Sequence, residues 1–409
     1  MGQYNADELH APNWLSDQFL IEVIRKSQND PSLTLCHGCK LRPGTTAGDH
    51  YASVIFRTTI HYRSARYHNE QAISLIMKLT AQNEGFKKGL LEGNSLFQTE
   101  TEMYTKVLPA MSKALAEIGE PIDVPKLIYA SSTPHTIIIL EDVSPKGWIP
   151  GRKPITSFEE VVPTINNVAK FHAASYFLNQ STMDLSKHCI EMFTKEDGGA
   201  FGVFYKVFDD FCNALQSWQE CDKFSDKFKN LKGTSIKRIQ QIYSANPKGV
   251  GYNVLNHADL NWKNLLHKKA MNGRVKDSML IDYQCCHWGS PAIDVISLVD
   301  LVMDHGTKNH YRKQIVYEYH KHFVYILEKL GFLGNVPTLA DLYTEMLRKG
   351  FLEVFHVAVF EQLKHIDLTE TTIDELNNGH LENPASSKES YLTVVRAELP
   401  KLLHKGFLD

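Results

Sequence analysis

The sequence predicts an α+β fold with two lobes, a small mainly β lobe followed by a larger mainly helical one. Residues 51–62 are rich in β-branched and aromatic side chains, which is typical of a strand. Helical periodicity appears over 93–117 and again from residue 157 onward. The length of 409 residues exceeds that of an average domain of about 150 residues and leaves room for two lobes.

The amino-terminal elements follow from their residue patterns. Apolar residues spaced like one face of a helix predict an amphipathic helix over 12–27, and Asn29-Asp30-Pro31 ends it. The other elements of this half are expected, in chain order, as a glycine turn at 44–48, strands at 51–62 and 72–79, a helix at 93–117, and a strand pair at 126–130 and 136–140.

Beyond Asp142 the pattern is mainly helical. The expected elements are helices at 157–178 and 190–245, strands at 254–257, 265–268 and 278–283, and helix from residue 290 to the carboxyl end. We therefore expect three parts, namely a helical extension 1–30, an amino-terminal lobe 31–142 and a carboxyl-terminal lobe 143–409.

Composition excludes several classes of protein. Lys and Arg number 44 against 47 Asp and Glu, so the chain lacks the basic surplus of a nucleic-acid binder. No apolar run approaches the roughly 18 residues of a membrane span, and the polar amino terminus is unlike a signal peptide. Seven scattered cysteines suit reduced thiols. We expect a cytoplasmic protein with no nucleic-acid partner and no membrane span.

The strongest chemical motif begins at His257. His257, Asp259 and Asn264 have the spacing H-x-D-x-x-x-x-N, and Asp282 lies 18 positions after Asn264. In phosphotransferases the first Asp accepts the proton of the attacking hydroxyl. The Asn and the second Asp hold Mg²⁺, which bridges the phosphates of ATP. The spacing therefore predicts a catalytic Asp259 and a metal site at Asn264 and Asp282.

Asp294 follows Ser290 and Pro291 at a predicted helix start. One interpretation is a helix N-cap. The other is a buried carboxylate that braces the backbone of the catalytic loop. The two are compatible, and both stay open at this point.

A matching pair lies in the amino-terminal half. Lys78 ends a predicted strand and Glu100 follows 22 residues later in a predicted helix. A kinase needs a strand Lys on the ATP phosphates and a helix Glu that orients it. Glu102 competes for this role, but Phe97 and Tyr104 place Glu100 on the apolar face of the helix.

The other nucleotide contacts carry weaker signals. The chain has no G-x-G-x-x-G segment, and only the glycine turn 44–48 could cover phosphates. Ser53 is a candidate for a phosphate contact. Glu141 and Val143 follow an apolar strand, which suits a hinge whose backbone binds adenine.

Several short sequence segments, spread over nearly the whole chain, match motifs of a known family in the same order. They are Pro12-Asn-Trp-Leu15, Gly48-Asp-His-Tyr-Ala-Ser53, Leu75-Ile-Met-Lys78, Phe97-x-x-Glu100-x-x-x-Tyr104, Ala169-Lys-Phe-His-Ala173, Leu255-Asn-His-Ala-Asp259, Ile281-Asp-Tyr-Gln284 and Ser290-Pro-Ala-x-Asp294. Together they resemble the ecdysteroid kinase-like family of insects, also called CHK kinase-like. That family belongs to the aminoglycoside phosphotransferase and choline kinase branch of the protein-kinase-like fold.

The resemblance implies roles for the motif residues. Asp259 would be the catalytic base, Asn264 and Asp282 the metal ligands, and His257 a structural member of the catalytic loop. The family usually has Gly between its His and Asp, where this chain has Ala258. The added methyl group restricts φ, although every charged role remains filled.

The resemblance also implies that Lys78 and Glu100 form the phosphate-orienting pair. The cofactors would be ATP and Mg²⁺, and the acceptor would be an ecdysteroid or another lipophilic alcohol, which includes dietary toxins and suggests detoxification. An acceptor region is expected around the aromatic residues Phe201, Phe204, Tyr205, Phe208, Phe351 and Phe355, and the alternative interpretation of each is ordinary helix core. Two alternatives stay open, a non-catalytic ligand-binding protein on a kinase scaffold and a choline or aminoglycoside kinase.

Overall fold

The computed structural model describes residues 6–45, 53–80, 95–190, 202–365 and 388–409. These form two compact units. The first contains the described residues up to 105 together with 124–148, and the second contains 106–123 and the described residues from 149 onward. A sheet dominates the first unit and helices dominate the second. The predicted α+β fold class with two lobes is confirmed.

The first unit is built on a six-stranded antiparallel sheet. Its strand order is β1-β3-β4-β6-β5, and β2 also pairs with β3. The bounds are β1 Thr34–Leu35, β2 Arg42–Pro43, β3 Val54–Arg63, β4 Gln71–Leu79, β5 Leu127–Ser131 and β6 Ile137–Glu141, with helices α1 Ala6–Leu9, α2 Asp17–Gln28 and α3 Leu96–Glu102. A π-helical turn, Met103–Val107, follows α3. Of the predicted glycine turn, residues 46–48 lie outside the described part of the chain.

Helix α2 begins five residues later than its apolar pattern predicts. Ser16 is the N-cap, and its hydroxyl accepts a hydrogen bond from the Phe19 N–H at 3.3 Å. A serine cap satisfies an otherwise unpaired N–H at a helix start, which explains the boundary. Leu20 and Ile24 of α2 are fully buried in the core that also contains Phe56 of β3.

The second unit is mainly helical. Its helices are α4 Leu108–Glu117, α5 Phe158–Ser181, α6 Gly202–Ala214, α7 Ser225–Lys232, α8 Ser235–Tyr243, α9 Ala292–Ser297, α10 His305–Lys329, α11 Leu339–Arg348, α12 Phe351–Phe355 and α13 Glu389–His404. π-Helical turns follow α9 at Leu298–Val302 and α12 at His356–Phe360.

Two small sheets complete this unit. The strand order is β10-β9-β7 in one sheet and β11-β8 in the other. The bounds are β7 Ile149–Pro150, β8 Val254–Asn256, β9 Leu265–Lys269, β10 Val275–Leu280 and β11 His287–Gly289. Strands β7 and β11 were not predicted, because two or three residues are too few to show a periodicity.

Helix α5 supports the hairpin of β9 and β10. The Thr164 hydroxyl of α5 donates to the Ser278 hydroxyl of β10 at 2.9 Å. On another face α5 packs against α10, where Phe171, Tyr319 and Phe323 are fully buried. This packing fixes the hairpin that leads from the catalytic-loop motif to Asp282.

The aromatic residues expected around an acceptor mostly pack on one another. Phe208 lies 5.9 Å from Phe351 and 5.8 Å from Phe355 between ring centroids, and all three are buried. These rings therefore form helix core. Phe201 lies outside the described residues.

Across the described ranges, no helix combines the length and the apolar character that crossing a bilayer requires.

Candidate active site

The H-x-D-x-x-x-x-N spacing folds into a closed loop between β8 and β9. A 3₁₀ turn over Trp262–Asn264 brings Asn264 back towards Asp259. The Asn264 amide nitrogen donates to Asp259 Oδ2 at 2.8 Å and to the Asp259 carbonyl at 2.9 Å. The predicted base and the predicted metal ligand are thus in direct contact.

Asn261 is a member of this site that sequence reasoning missed. Its amide nitrogen donates to Asp259 Oδ1 at 3.0 Å, and its amide oxygen accepts from the Lys263 N–H at 2.9 Å. Each oxygen of the Asp259 carboxylate therefore accepts a hydrogen bond from a side-chain amide. The available signal was an Asn at the start of a turn, a position where such residues commonly bond to nearby backbone.

Two hydrogen bonds join the segment that carries Asp282 to the catalytic loop. The Ile281 N–H donates to the Asn264 carbonyl at 3.1 Å, and His257 Nε2 donates to the Ile281 carbonyl at 2.9 Å. Asp282 itself has a left-handed backbone with φ 67° and ψ 62°, which Asp tolerates better than most residues. His257 thus connects the two parts of the motif through backbone.

The electrostatic surroundings of Asp259 disfavour its charged form. Burial and the neighbouring charge of Asp282 raise the pKa of Asp259 to about 6, although His257 and the amides of Asn264 and Asn261 act in the opposite direction. Carboxyl groups with a pKa shifted towards neutrality are common at catalytic sites.

Asp294 is buried and supports the backbone of the catalytic loop. Its Oδ2 accepts from the His257 N–H at 2.6 Å, and its Oδ1 accepts from the Ala258 N–H at 2.9 Å. The N-cap position of α9 belongs to Pro291, not to Asp294. The carboxylate therefore satisfies backbone N–H groups of the loop, which lies 36 residues earlier in the chain.

The buried His172 contacts Asp294, and the buried Tyr319 in turn contacts His172. His172 Nε2 lies 3.0 Å from Asp294 Oδ2, and His172 Nδ1 lies 2.7 Å from the Tyr319 hydroxyl. Burial alone would raise the pKa of Asp294, but the hydrogen bond and charge of His172, the charge of His257 and the hydrogen bond from Ala258 together outweigh it, so the pKa lies below its ordinary value. The order Tyr319, His172, Asp294 forms a continuous buried support for the loop.

Ala258 occupies a left-handed backbone conformation with φ 61°. For an L-residue with a Cβ this conformation costs roughly 1–2 kcal/mol, whereas Gly adopts it freely. The position thus requires the backbone that glycine prefers, and the alanine is strained there.

We predict that Ala258→Gly raises the free energy of unfolding by about 0.5–1 kcal/mol, because relief of strain exceeds the extra entropy of glycine in the unfolded chain. Urea denaturation measures this change. Ala116→Gly in α4 is the control and should lower stability by up to about 1 kcal/mol. A loss of stability in Ala258→Gly would contradict the left-handed assignment.

In the first unit, Lys78 and Glu100 form a buried ion pair. Lys78 Nζ in β4 lies 2.5 Å from Glu100 Oε2 in α3, and their side chains are 7% and 2% exposed. Lys78 Nζ also lies 5.9 Å from the centroid of the Phe97 ring. Lys78 is thus paired with Glu100, the residue that the apolar face of the helix favoured over Glu102.

Breaking this pair should destabilise the protein strongly. We expect Lys78→Met to lower the free energy of unfolding by about 3–5 kcal/mol, because it leaves the Glu100 carboxylate buried without its partner. Adding Glu100→Leu should recover most of that loss. Glu102→Gln is the control, with a change within about 0.5 kcal/mol. Additive single-variant effects in a double-mutant cycle would show that the pair is not coupled.

The remaining nucleotide candidates lie at ends of strands in the first unit. Ser53 directly precedes β3 and is 2% exposed. Glu141 is the last residue of β6, and its N–H donates to the Lys126 carbonyl at 2.9 Å. Val143 is buried, and its carbonyl accepts from the Lys146 N–H at 3.0 Å.

A family model agrees with these motifs. The model of the ecdysteroid kinase-like family matches residues 47–332, which is well over half of the chain. The chain belongs to the ecdysteroid kinase-like family. This membership confirms the resemblance and assigns the protein to the phosphotransferases that use an alcohol group as acceptor.

Several solved structures are distantly similar to this ecdysteroid kinase-like protein. A macrolide 2′-phosphotransferase from Brachybacterium faecium is 13% identical, with 93% of this chain and 98% of that chain covered and a TM-score of 0.36. An aminoglycoside phosphotransferase from Alicyclobacillus acidocaldarius is 14% identical, with 85% and 90% covered and a TM-score of 0.33.

The GDP complex of wild-type aminoglycoside 2′-phosphotransferase-IIIa is 10% identical, with 94% and 98% covered and a TM-score of 0.41. These likenesses are too distant to bear on the chemistry of the site. No curated protein matches the chain in sequence.

The donor atoms of the ecdysteroid kinase-like protein fit Mg²⁺. Within the residues that the structure describes, no three His, Cys, Asp or Glu side chains form a ready-made cation site. Asn264 and Asp282 offer an amide oxygen and a carboxylate, which are donors that Mg²⁺ prefers. The amide nitrogen of Asn264 is engaged by Asp259, so its oxygen is the atom suited to a cation. Mg²⁺ commonly takes few protein ligands and completes its shell with phosphates and water.

Proposed function

We propose that this protein is a cytoplasmic kinase that transfers the γ-phosphate of ATP to a hydroxyl group of an ecdysteroid or a similar lipophilic alcohol. The observation that carries the proposal is the contact between Asp259 and Asn264 beside the charge of Asp282. These three side chains combine a base with oxygen donors for a cation. Membership of the ecdysteroid kinase-like family supports the class of reaction, and the name of that family suggests the acceptor.

Asp259 is the proposed catalytic base. Its carboxylate receives the proton of the acceptor hydroxyl as that oxygen attacks phosphorus. The amides of Asn261 and Asn264 hold one carboxylate oxygen each, which fixes the orientation of the group. A pKa raised to about 6 makes Asp259 a stronger base than an ordinary carboxylate while it stays mainly ionised at neutral pH.

Asn264 and Asp282 are the proposed ligands of Mg²⁺. The cation, when bound, neutralises charge on the transferred phosphoryl group. The protein contributes by holding both ligands through the backbone. The bonds of Ile281 to Asn264 and to His257 fix the position of Asp282 next to the loop.

Lys78, oriented by Glu100, is the proposed contact to the ATP phosphates. Ser53 is the proposed second phosphate contact, and the backbone at Glu141 and Val143 the proposed adenine contact. The division into an extension 1–30, a nucleotide-binding lobe 31–142 and an acceptor-binding lobe 143–409 belongs to the same proposal.

One observation favours a second candidate, a non-catalytic protein that binds a lipophilic ligand. The strained φ of Ala258 adjoins the proposed base, and strain there could alter the loop. Turnover separates the candidates, because a pseudokinase can bind nucleotide without transferring phosphate.

The decisive experiment is transfer by the purified full chain. The protein is incubated with MgATP and a mixed extract of steroids and other alcohols, and mass spectrometry seeks products heavier by one phosphoryl group. We expect such a product with the native chain and not with Asp259→Asn. A broad acceptor panel without any phosphorylated product, together with retention of an unmodified lipid, would overturn the kinase in favour of the binding protein.

A further inference from the structure

A second charged site lies in the helical unit, and its residues belong to none of the roles assigned above. It is a cavity of about 390 Å³ between α10 and the end of α13, lined by Lys308, Asn309, Arg312, Glu398, Lys401 and Lys405. Four of these six side chains are cationic and one is a carboxylate. Its volume falls within the range of about 300–1,000 Å³ that is usual for small-molecule sites.

Carboxylates outside the lining hold three of the cations. Asp300 Oδ1 lies 3.4 Å from Lys308 Nζ and 3.5 Å from Arg312 Nη1. Glu353 Oε1 lies 2.5 Å from Arg312 Nη2, and its Oε2 lies 2.7 Å from Lys405 Nζ. Three cations therefore share two carboxylates.

The fourth cation, Lys401, is paired with a carboxylate that also lines the cavity. Lys401 Nζ lies 2.8 Å from Glu398 Oε1 and 2.6 Å from Asn309 Oδ1. Among the lining residues and their direct partners, four cations face three carboxylates. Glu361, whose charge also acts on Lys308, is paired with Lys364 at 2.7 Å, so a surplus of one positive charge remains. His305 Nδ1 lies 3.5 Å from Glu398 Oε1, and His356 Nδ1 lies 3.2 Å from Asp300 Oδ2.

The buried cations keep their charge. Burial would lower the pKa of Lys308, but the charges of Asp300, Glu398 and Glu361 together outweigh it, and the pKa lies above its ordinary value. The pKa of Arg312 is likewise raised, because the charges of Glu353, Asp300 and Glu398 together with Tyr343 outweigh the effect of burial. Side chains held in this way lose little further freedom when a ligand binds, which favours affinity.

We propose that this cavity binds a tetrahedral oxyanion, phosphate or sulfate, carried by a small organic molecule. Guanidinium and ammonium groups are the side chains best suited to such oxygens. The surplus positive charge favours an anion over a neutral ligand. The space exceeds that of a bare ion, so an organic substituent can be accommodated with it.

The test uses the full chain and measures binding of inorganic phosphate and of sulfate by calorimetry, with chloride at the same ionic strength as reference. The double variant Lys401→Gln/Lys405→Gln removes the two partly exposed cations, whose side chains are 45% and 34% exposed, so the fold should persist. The control Lys229→Gln/Lys276→Gln removes equal charge from exposed positions in α7 and β10. Phenyl phosphate and phenyl sulfate then show which ester the cavity prefers.

We expect saturable binding to the native chain and to the control, and at least about tenfold weaker binding to Lys401→Gln/Lys405→Gln, because each charge-assisted hydrogen bond contributes strongly. Glu398→Gln should tighten binding, since it removes the carboxylate from the wall. Binding no stronger than that of chloride would overturn the proposal. Equal affinities of Lys401→Gln/Lys405→Gln and Lys229→Gln/Lys276→Gln would also overturn the proposal, because the anion would then bind elsewhere.

Discussion

Asp259→Asn should reduce the rate of phosphoryl transfer by about 10²–10⁴-fold and leave ATP binding near its native strength. The substitution keeps the shape of the side chain and removes the proposed acceptor of the hydroxyl proton. General bases typically contribute a factor of this size. Single-turnover measurement with saturating MgATP and the identified acceptor isolates the chemical step from binding.

Two further variants distinguish the effect of Asp259 itself from the effect of its neighbours. Asn261→Ala removes the donor to Asp259 Oδ1 and should lower kcat by about tenfold with little change in KM, since it disturbs orientation rather than proton transfer. Asp277→Asn, at a half-exposed position in β10, should leave the rate unchanged. A near-native rate in Asp259→Asn would remove Asp259 from the mechanism while leaving the family assignment intact.

Asp294→Ala should lower the free energy of unfolding by about 3–5 kcal/mol. The substitution leaves the N–H groups of His257 and Ala258 without this acceptor and removes one of the two hydrogen-bond partners of His172. Buried donors that lose a charged acceptor carry penalties of this size. Asp294→Asn should cost less, because one acceptor oxygen remains. Urea denaturation measures both changes.

Asp304→Ala is the control for Asp294. Asp304 is the N-cap of α10 and accepts from the Gly306 N–H at 2.9 Å, and its loss should cost only about 1 kcal/mol. The pH dependence gives a second check. Because the folded-state pKa of Asp294 lies below the ordinary value of 3.8, its contribution is present above that pH and is lost as the pH falls further. A cost equal to that of Asp304→Ala would contradict the bracing role.

Much of the site could be predicted because its residues are close in sequence. Asp259 and Asn264 are five positions apart, and a single turn brings them into contact. The pairing of Lys78 with Glu100 was predictable for another reason, since helix periodicity identified which of two glutamates faces inward. Their actual contact joins a strand and a helix 22 residues apart.

Other features had no local signal. The apolar stripe from residue 12 could not show that Ser16 caps the helix. Aromatic residues such as Phe208 and Phe355 favoured helix core individually, and the sequence alone could not show whether any of them contacts a ligand. The structure places these two rings 5.8 Å apart in the core. Strand β11 pairs with β8, which lies 31 positions earlier in the chain at the His287–Asn256 pair. A strand of three residues carries too little sequence pattern to predict this pairing.

The sequence by itself determined the family, the α+β class and the spacing that brings Asp259 to the amide of Asn264, because each depends on residue order and short-range periodicity. Only the tertiary structure decided that Asp294 braces the loop, that His172 and Tyr319 support it, and that Ala258 must adopt a left-handed backbone. These depend on which groups meet when distant segments are buried together. A buried N–H needs an acceptor wherever the fold supplies one, and the acceptor here comes from a helix that starts 35 residues after His257.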